Sequence, residues 1–128
     1  LWFAGSVDDV CLQAHLAAAA VGVLPSTHAS EALGIAMIEY LAAGLPAVCT
    51  ELGTGTTFVN RDGETGFVVP PRDEGALASA LARLLADPGL RARMGQAGRR
   101  RAQEVFSLDA MMQGVGAAYA EALAGARP

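Results

Sequence analysis

The densest grouping of chemistry-bearing residues is Ser30-Glu31-Ala32-Leu33-Gly34-Ile35-Ala36-Met37-Ile38-Glu39. Two carboxylates flank an apolar stretch that holds one glycine. On a helix, with Glu31 at its mouth and Glu39 two turns inside, they would stand roughly 12 Å apart along the axis, at ~1.5 Å rise per residue. A glycosidase acid/base pair needs about 5–9.5 Å, so two-carboxylate hydrolysis fits poorly. A long ligand lying along the helix start fits better, with one carboxylate holding hydroxyls at each end. Between them the helix N-terminus would present free N–H groups near Gly34, Ile35 and Ala36. Gly34 has no side chain and lets an oxyanion reach the backbone, which suits a phosphate. A sugar–pyrophosphate–ribose has this order of parts. The plain alternative is that Glu31 favours the helix dipole and Glu39 is a solvated carboxylate. Spacing alone does not exclude it.

Other residues carry less. His28 can face a ligand from the loop after Pro25, although a loop histidine is more often solvated. His15, on an alanine-rich helix, reads as structural. Cys11 and Cys49 lack metal-ligand spacing and read as packing residues. Gly53-x-Gly55 after a strand hints at a dinucleotide fingerprint, but Phe58 takes the third glycine position. The Arg99-Arg100-Arg101 run, with Arg91 and Arg93, offers contact with anionic lipid or, preferred here, a solvated helix face. No Walker motif and no Ser-His-Asp order is visible.

These residues need elements to position them. Trp2 to Ala4 looks like a strand end. Asp8 or Asp9 can cap a helix over about 9–19. Val21-Gly22-Val23-Leu24, stopped by Pro25, reads as a buried parallel strand. A helix is expected over 31–43, with Ile35, Ile38 and Ala42 at helical spacing and Gly44 as its stop. Residues 46–50 form a third strand, 60–66 a turn cluster, and 67–69 a fourth strand. Three helices follow. The first starts near Asp73 with Leu77, Leu81, Leu84 and Leu85 on one face. The second opens at Asp87-Pro88 with Leu90, Met94 and Ala97 together. The third runs over 107–124 and aligns Met112, Val115, Tyr119 and Leu123. This alternation predicts an α/β fold, a parallel sheet with right-handed crossovers. Ligands in such sheets bind at the carboxyl ends of the strands, where loops 26–30, 51–57 and 70–73 fall.

Length and composition bound the reading. The chain has 128 residues, 52% hydrophobic and 17% charged, enough apolar material for one domain with a core. No apolar run approaches the ~18 residues of a membrane span. A net charge of -4 argues against nucleic acid as the main partner. Two cysteines suggest a reducing compartment. Residues 1–60 carry five acids and no Lys or Arg, while 61–128 carry all nine arginines and eight acids. The first half is therefore expected to be mostly buried and the second to present solvated helix faces. The opening Leu1-Trp2-Phe3-Ala4-Gly5, without an initiator Met or signal peptide, reads as a cut inside or just before a strand.

Glu31-(seven residues)-Glu39, preceded by Leu24-Pro25-Ser26 and followed by Ala43-Gly44-Leu45-Pro46-Ala47-Val48, resembles the C-terminal, nucleotide-sugar-binding domain of retaining family 4 (group 1) glycosyltransferases of GT-B fold. Phe3-Ala4-Gly5-Ser6-Val7 is similar to the family's strand before the nucleotide pocket. Asp62-Gly63-Glu64-Thr65-Gly66-Phe67-Val68-Val69-Pro70 is similar to its stretch after the donor loop, and Phe106-Ser107-Leu108 to its Phe-Ser-Trp. Glu51-Leu52-Gly53-Thr54-Gly55-Thr56-Thr57 looks like the loop of bacterial polysaccharide and O-antigen transferases. The resemblance covers essentially the whole chain.

The resemblance implies a Rossmann-like domain over 1–128, the incomplete C-terminal half of a GT-B enzyme, with 107–124 packing toward an absent N-terminal acceptor domain. It implies hexose transfer with retention from a nucleoside diphosphate sugar to a glycan or lipid-linked acceptor. Glu31 would act on the hexose hydroxyls and the anomeric charge. Leu33, Gly34, Ile35 and Ala36 would contact sugar and phosphates through backbone, and Glu39 would accept from the ribose hydroxyls. No metal and no cofactor beyond the donor is implied. The family's phosphate-binding Arg and Lys lie upstream of this segment, so the chain alone is expected not to turn over. A cytoplasmic location, with peripheral contact at the inner face of the membrane, is the matching expectation. Two rivals stand beside this: a sugar-nucleotide epimerase or hydrolase of the same fold, and a non-catalytic nucleotide-sugar-binding module.

Overall fold

The computed structural model describes residues 2–125. Its elements are α1 (Asp9–Ala18), β1 (Gly22–Leu24), α2 (Ile35–Ala43), β2 (Ala47–Thr50), α3 (Thr56–Val59), β3 (Gly66–Val69), α4 (Glu74–Ala86), α5 (Pro88–Val105) and α6 (Leu108–Gly125). The three strands form one parallel sheet in the order β1-β2-β3. Val23 lies against Val48, and Val48 against Phe67.

Local chemistry sets the helix ends. The carboxylates of Asp8, Asp73 and Asp87 accept from the N–H groups of Cys11, Ala76 and Leu90, each three residues on. Pro88 follows Asp87 at the first helical position, where its missing N–H costs nothing. Helix α2 closes with the paired bonds Leu45 N–H to Tyr40 O and Gly44 N–H to Leu41 O, both 2.9 Å.

The core lies on both faces of β2, all four of whose residues are buried. Alternation sends Ala47 and Cys49 to one face, against Met37, Leu41, Val59 and Ala102. Val48 points to the other, against Val69, Ala80, Leu84 and Met94. Helices α2 and α5 meet almost backbone to backbone. A Cβ on Gly95 would sit 2.1 Å from the Gly44 carbonyl oxygen, and one on Gly98 would sit 2.8 Å from Leu41 Cδ2. The turn between α3 and β3 is locked by a buried amide. Asn60 Nδ2 donates to Ala47 O at 3.2 Å and Phe67 O at 3.1 Å, and its oxygen accepts from the Thr65 hydroxyl at 2.8 Å.

Several expectations change. Trp2 to Ala4 pairs with no strand; Trp2 instead stacks on His15 at 5.7 Å between ring centroids. The helix expected from 31 starts at Ile35, because Gly34 adopts φ 73° and interrupts the turn. Its buried positions are Met37 and Leu41, and Ile35 points outward. Leu85 likewise leaves the buried face of α4. The first half is not mostly buried: α1 has no buried residue, because only one side of it meets a neighbour, α2. The short helix α3 was not foreseen. Helix α6 forms where expected, but Met112, Val115, Tyr119 and Leu123 are all exposed.

Candidate functional site

Loops 26–30, 51–57 and 70–73 leave the carboxyl ends of β1, β2 and β3 and gather at one end of the sheet, as parallel strands require. A depression there is bounded by Pro25, Thr27, Thr50, Pro70, Arg72 and Asp73. A second, sharing Thr27, is bounded by Ser26, His28, Ser30 and Glu31.

Glu31 sits in the turn before α2, half-buried. The Ser26 hydroxyl donates to its Oε2 at 3.2 Å, and its own N–H donates to His28 O at 3.2 Å. Ser26 is fixed in turn: its carbonyl accepts from the Thr50 hydroxyl at the end of β2. The carboxylate is thus tied to the ends of two strands, with His28 on the rim, exposed and bonded to Thr27 at 2.9 Å.

Gly34 is buried and opens α2 without a side-chain cap. Its φ of 73° is the left-handed region, and a Cβ there would meet Leu24 Cδ2 at 2.8 Å and Thr56 Cγ2 at 3.4 Å. Only glycine fits both constraints. Among the described residues, neither the Ile35 nor the Ala36 N–H finds an acceptor. Two amide donors therefore stand free at the positive end of the helix dipole, four and five residues after Glu31 in the chain. Leu33 and Ile35, on either side of Gly34, are exposed apolar residues at 39% and 70%. Loop 51–57 is stitched to this turn: the Gly55 N–H donates to Ala32 O at 2.7 Å.

Glu39 lies apart from Glu31. The two do not share one helix, so the spacing deduced for a continuous helix no longer applies. Glu39 is just over one turn into α2, exposed, on a groove between α1 and α2 lined also by Asp9, Leu12, Gln13, Leu16 and Arg99. Partial burial of the neighbouring Tyr40 raises its pKa, and the charge of Glu39 adds to the shift.

The arginine run is not one solvated face. The Arg99 guanidinium donates to Ala43 O at 2.9 Å and caps α2. Arg101 is buried: its Nε donates to Val59 O at 3.0 Å and its Nη2 to Phe58 O. Desolvation, then the charge of Arg61, lowers its pKa. Sequence reasoning missed this role, since a buried arginine inside a charged run has no periodic signature. Cys49 is buried as a packing residue, and burial raises its thiol pKa. Cys11 is only half-buried, with its sulfur 3.5 Å from His15 Nδ1. No group of three or more His, Cys, Asp or Glu side chains converges among the described residues. No helix among them is long and apolar enough to cross a membrane.

Residues 1–101 match the family model described as "Glycosyl transferases group 1". The chain is 40% identical over 90 residues to O-antigen chain mannosyltransferase C of Escherichia coli, covering 70% of this chain and 24% of the relative. It is 38% identical over 105 residues to D-rhamnosyltransferase WbpZ of Pseudomonas aeruginosa, covering 82% of this chain and 28% of the relative. Among solved structures, sucrose-phosphate synthase from Thermosynechococcus elongatus superposes with a TM-score of 0.85 at 36% identity, over 98% of this chain and 31% of that one. The chain spans about a quarter of the length of the curated relatives it matches.

Proposed function

The chain belongs to the group 1 glycosyl transferases, and from that premise we propose that it forms the donor-binding part of a GT-B enzyme that transfers a hexose from a nucleoside diphosphate sugar. One observation carries this reading. The free Ile35 and Ala36 amides at the uncapped start of α2 follow Gly34, which packs against Leu24 at the carboxyl end of β1, and Glu31, held by Ser26, lies in the turn that leads into them. Such a helix start takes a phosphate, and a fixed carboxylate in the turn before it takes sugar hydroxyls.

In this reading the diphosphate rests on the backbone of Leu33, Gly34, Ile35 and Ala36. Glu31 holds the hexose and stabilises charge developing at its anomeric carbon. Glu39 accepts from the ribose hydroxyls in the groove beside α1. The leaving phosphate serves as base for the incoming hydroxyl, and configuration is retained. The acceptor is a glycan or lipid-linked saccharide of polysaccharide or lipopolysaccharide synthesis. The acceptor-binding N-terminal domain and the phosphate-binding Arg and Lys belong to upstream parts of the intact polypeptide, which works in the cytoplasm or at the inner face of the membrane. The relatives, an O-antigen mannosyltransferase and a rhamnosyltransferase, support this substrate class.

Transfer assays on the full-length polypeptide test it. Glu31→Ala is expected to abolish sugar transfer while the protein stays folded; unchanged transfer would make the site a passive binding module. Calorimetry with ADP, GDP and UDP is expected to show weaker binding for Glu39→Ala. Equal affinity removes Glu39 from the site.

A further inference from the structure

Arg101 lies 67 positions after Gly34 in the chain, on a different helix, yet a continuous set of contacts joins them. Its guanidinium holds the two last carbonyls of α3, Phe58 O and Val59 O. It also lies over the rings of Phe58 and Phe106, at 5.1 and 5.4 Å from their centroids. No carboxylate pairs with it among the described residues. A buried cation is costly to keep, so its partners are the negative end of a helix and two ring faces. A leucine would pack there but would leave both carbonyls without a donor.

The opposite end of α3 touches the candidate site twice. Gly55, just before the helix, donates to Ala32 O, and a Cβ on Gly55 would stand 2.7 Å from that oxygen. Thr56, buried, packs its methyl against Gly34. Helix α3 is only four residues long, too short to hold itself by its own hydrogen bonds. What it transmits therefore depends on what holds its ends.

We propose that Arg101 is a positioning residue for the donor site: by anchoring α3 it fixes Gly55 against Ala32 and so holds the turn that sets Glu31 and the free amides of α2. This rests on the functional reading above only for the word donor; the coupling itself is a property of the fold. The planar fork matters, because its Nε and Nη2 meet the two carbonyls in one fixed geometry, whereas a lysine ammonium is a single point of charge on a flexible stem with no such preset spacing.

The test uses the full-length polypeptide labelled with 15N, with wild type, Arg101→Lys, Arg101→Met and Gly55→Ala. Arg101→Lys is expected to move the amide signals of Gly55, Ile35 and Ala36 while leaving those of β2 and β3 in place. If Arg101→Met unfolds, Arg101→Lys carries the test. Titration with GDP and UDP is expected to weaken about tenfold in Arg101→Lys. Combining it with Gly55→Ala is expected to cost less than the sum of the two, since both break one strut. Additive losses, or a lower melting point with those three amides unmoved, would show that Arg101 merely fills the core and would overturn the proposal. Wild-type chain that binds neither nucleotide would count against the donor reading alone, and the amide shifts would still decide the coupling.

Discussion

Gly34→Ala probes the point on which the site depends. The substitution forces an L side chain into a backbone at φ 73°, which costs about 1–2 kcal/mol. Its Cβ would then stand 2.8 Å from Leu24 Cδ2, 3.3 Å from Met37 Cγ and 3.4 Å from Thr56 Cγ2. Met37 is fully buried, so relief requires core side chains to shift, at about 1–2 kcal/mol more. The expected loss is about 2–4 kcal/mol, or roughly 7–15 °C in melting temperature for a domain of this size. The structure supplies its own control. Gly53 has φ 66° and nothing within 4 Å of its Cβ position, so Gly53→Ala isolates the backbone cost. Urea unfolding followed by circular dichroism measures both. If Gly34→Ala costs no more than Gly53→Ala, the crowding at the start of α2 is absent and the reasoning about why glycine opens this helix is wrong.

Asn60→Ala removes an amide that satisfies two strand carbonyls and one hydroxyl, and is expected to cost about 3–5 kcal/mol in the same urea experiment; a loss under about 1 kcal/mol would deny it a locking role. Arg72 is the one non-glycine residue with positive φ among those described, at 61°, so Arg72→Gly is expected to stabilise by about 1 kcal/mol. A lower urea midpoint would count against that strain. The raised pKa of the buried Cys49 thiol fixes a sign: the unfolded chain ionises this group near pH ~8.5 while the folded chain does not. Its contribution is complete below that pH and fades as pH rises toward the folded value. Cys49→Ala is expected to make stability fall less steeply between about pH 8 and 10, and an unchanged slope would assign the fall to other groups.

Much of the fold was legible because short-range signals dominate it. Asp8, Asp73 and Asp87 mark helix starts through one carboxylate–amide bond each, and those starts stand within a residue of where they were expected. Apolar runs ending in Pro25 and Pro70 marked β1 and β3. The misses share a cause. Glu31 reads as helical by pattern, but the left-handed turn at Gly34 depends on Leu24 and Thr56, which arrive from other elements. Trp2 and Phe3 have strand composition, yet a strand exists only through its ladder, and none is formed there. Helix α3 has no amphipathic signature in four residues, and Arg101, which anchors it, looks like its charged neighbours. At the site, residue types and order were readable. That Glu31 and Glu39 line separate depressions was not, because it follows from where α2 begins.

The contact between Gly95 and the Gly44 carbonyl has a mechanical meaning. Ordinary helix pairs are separated by side chains that can change rotamer and so act as a cushion. Here the cushion is missing: main chain rests on main chain, and Arg99 rivets the junction at Ala43. Helix α2 cannot tilt without dragging α5 along. Any adjustment to an occupant at the head of α2 must come from the turn ahead of Gly34 and the loop leading into α3, while the two helices behind act as an anvil.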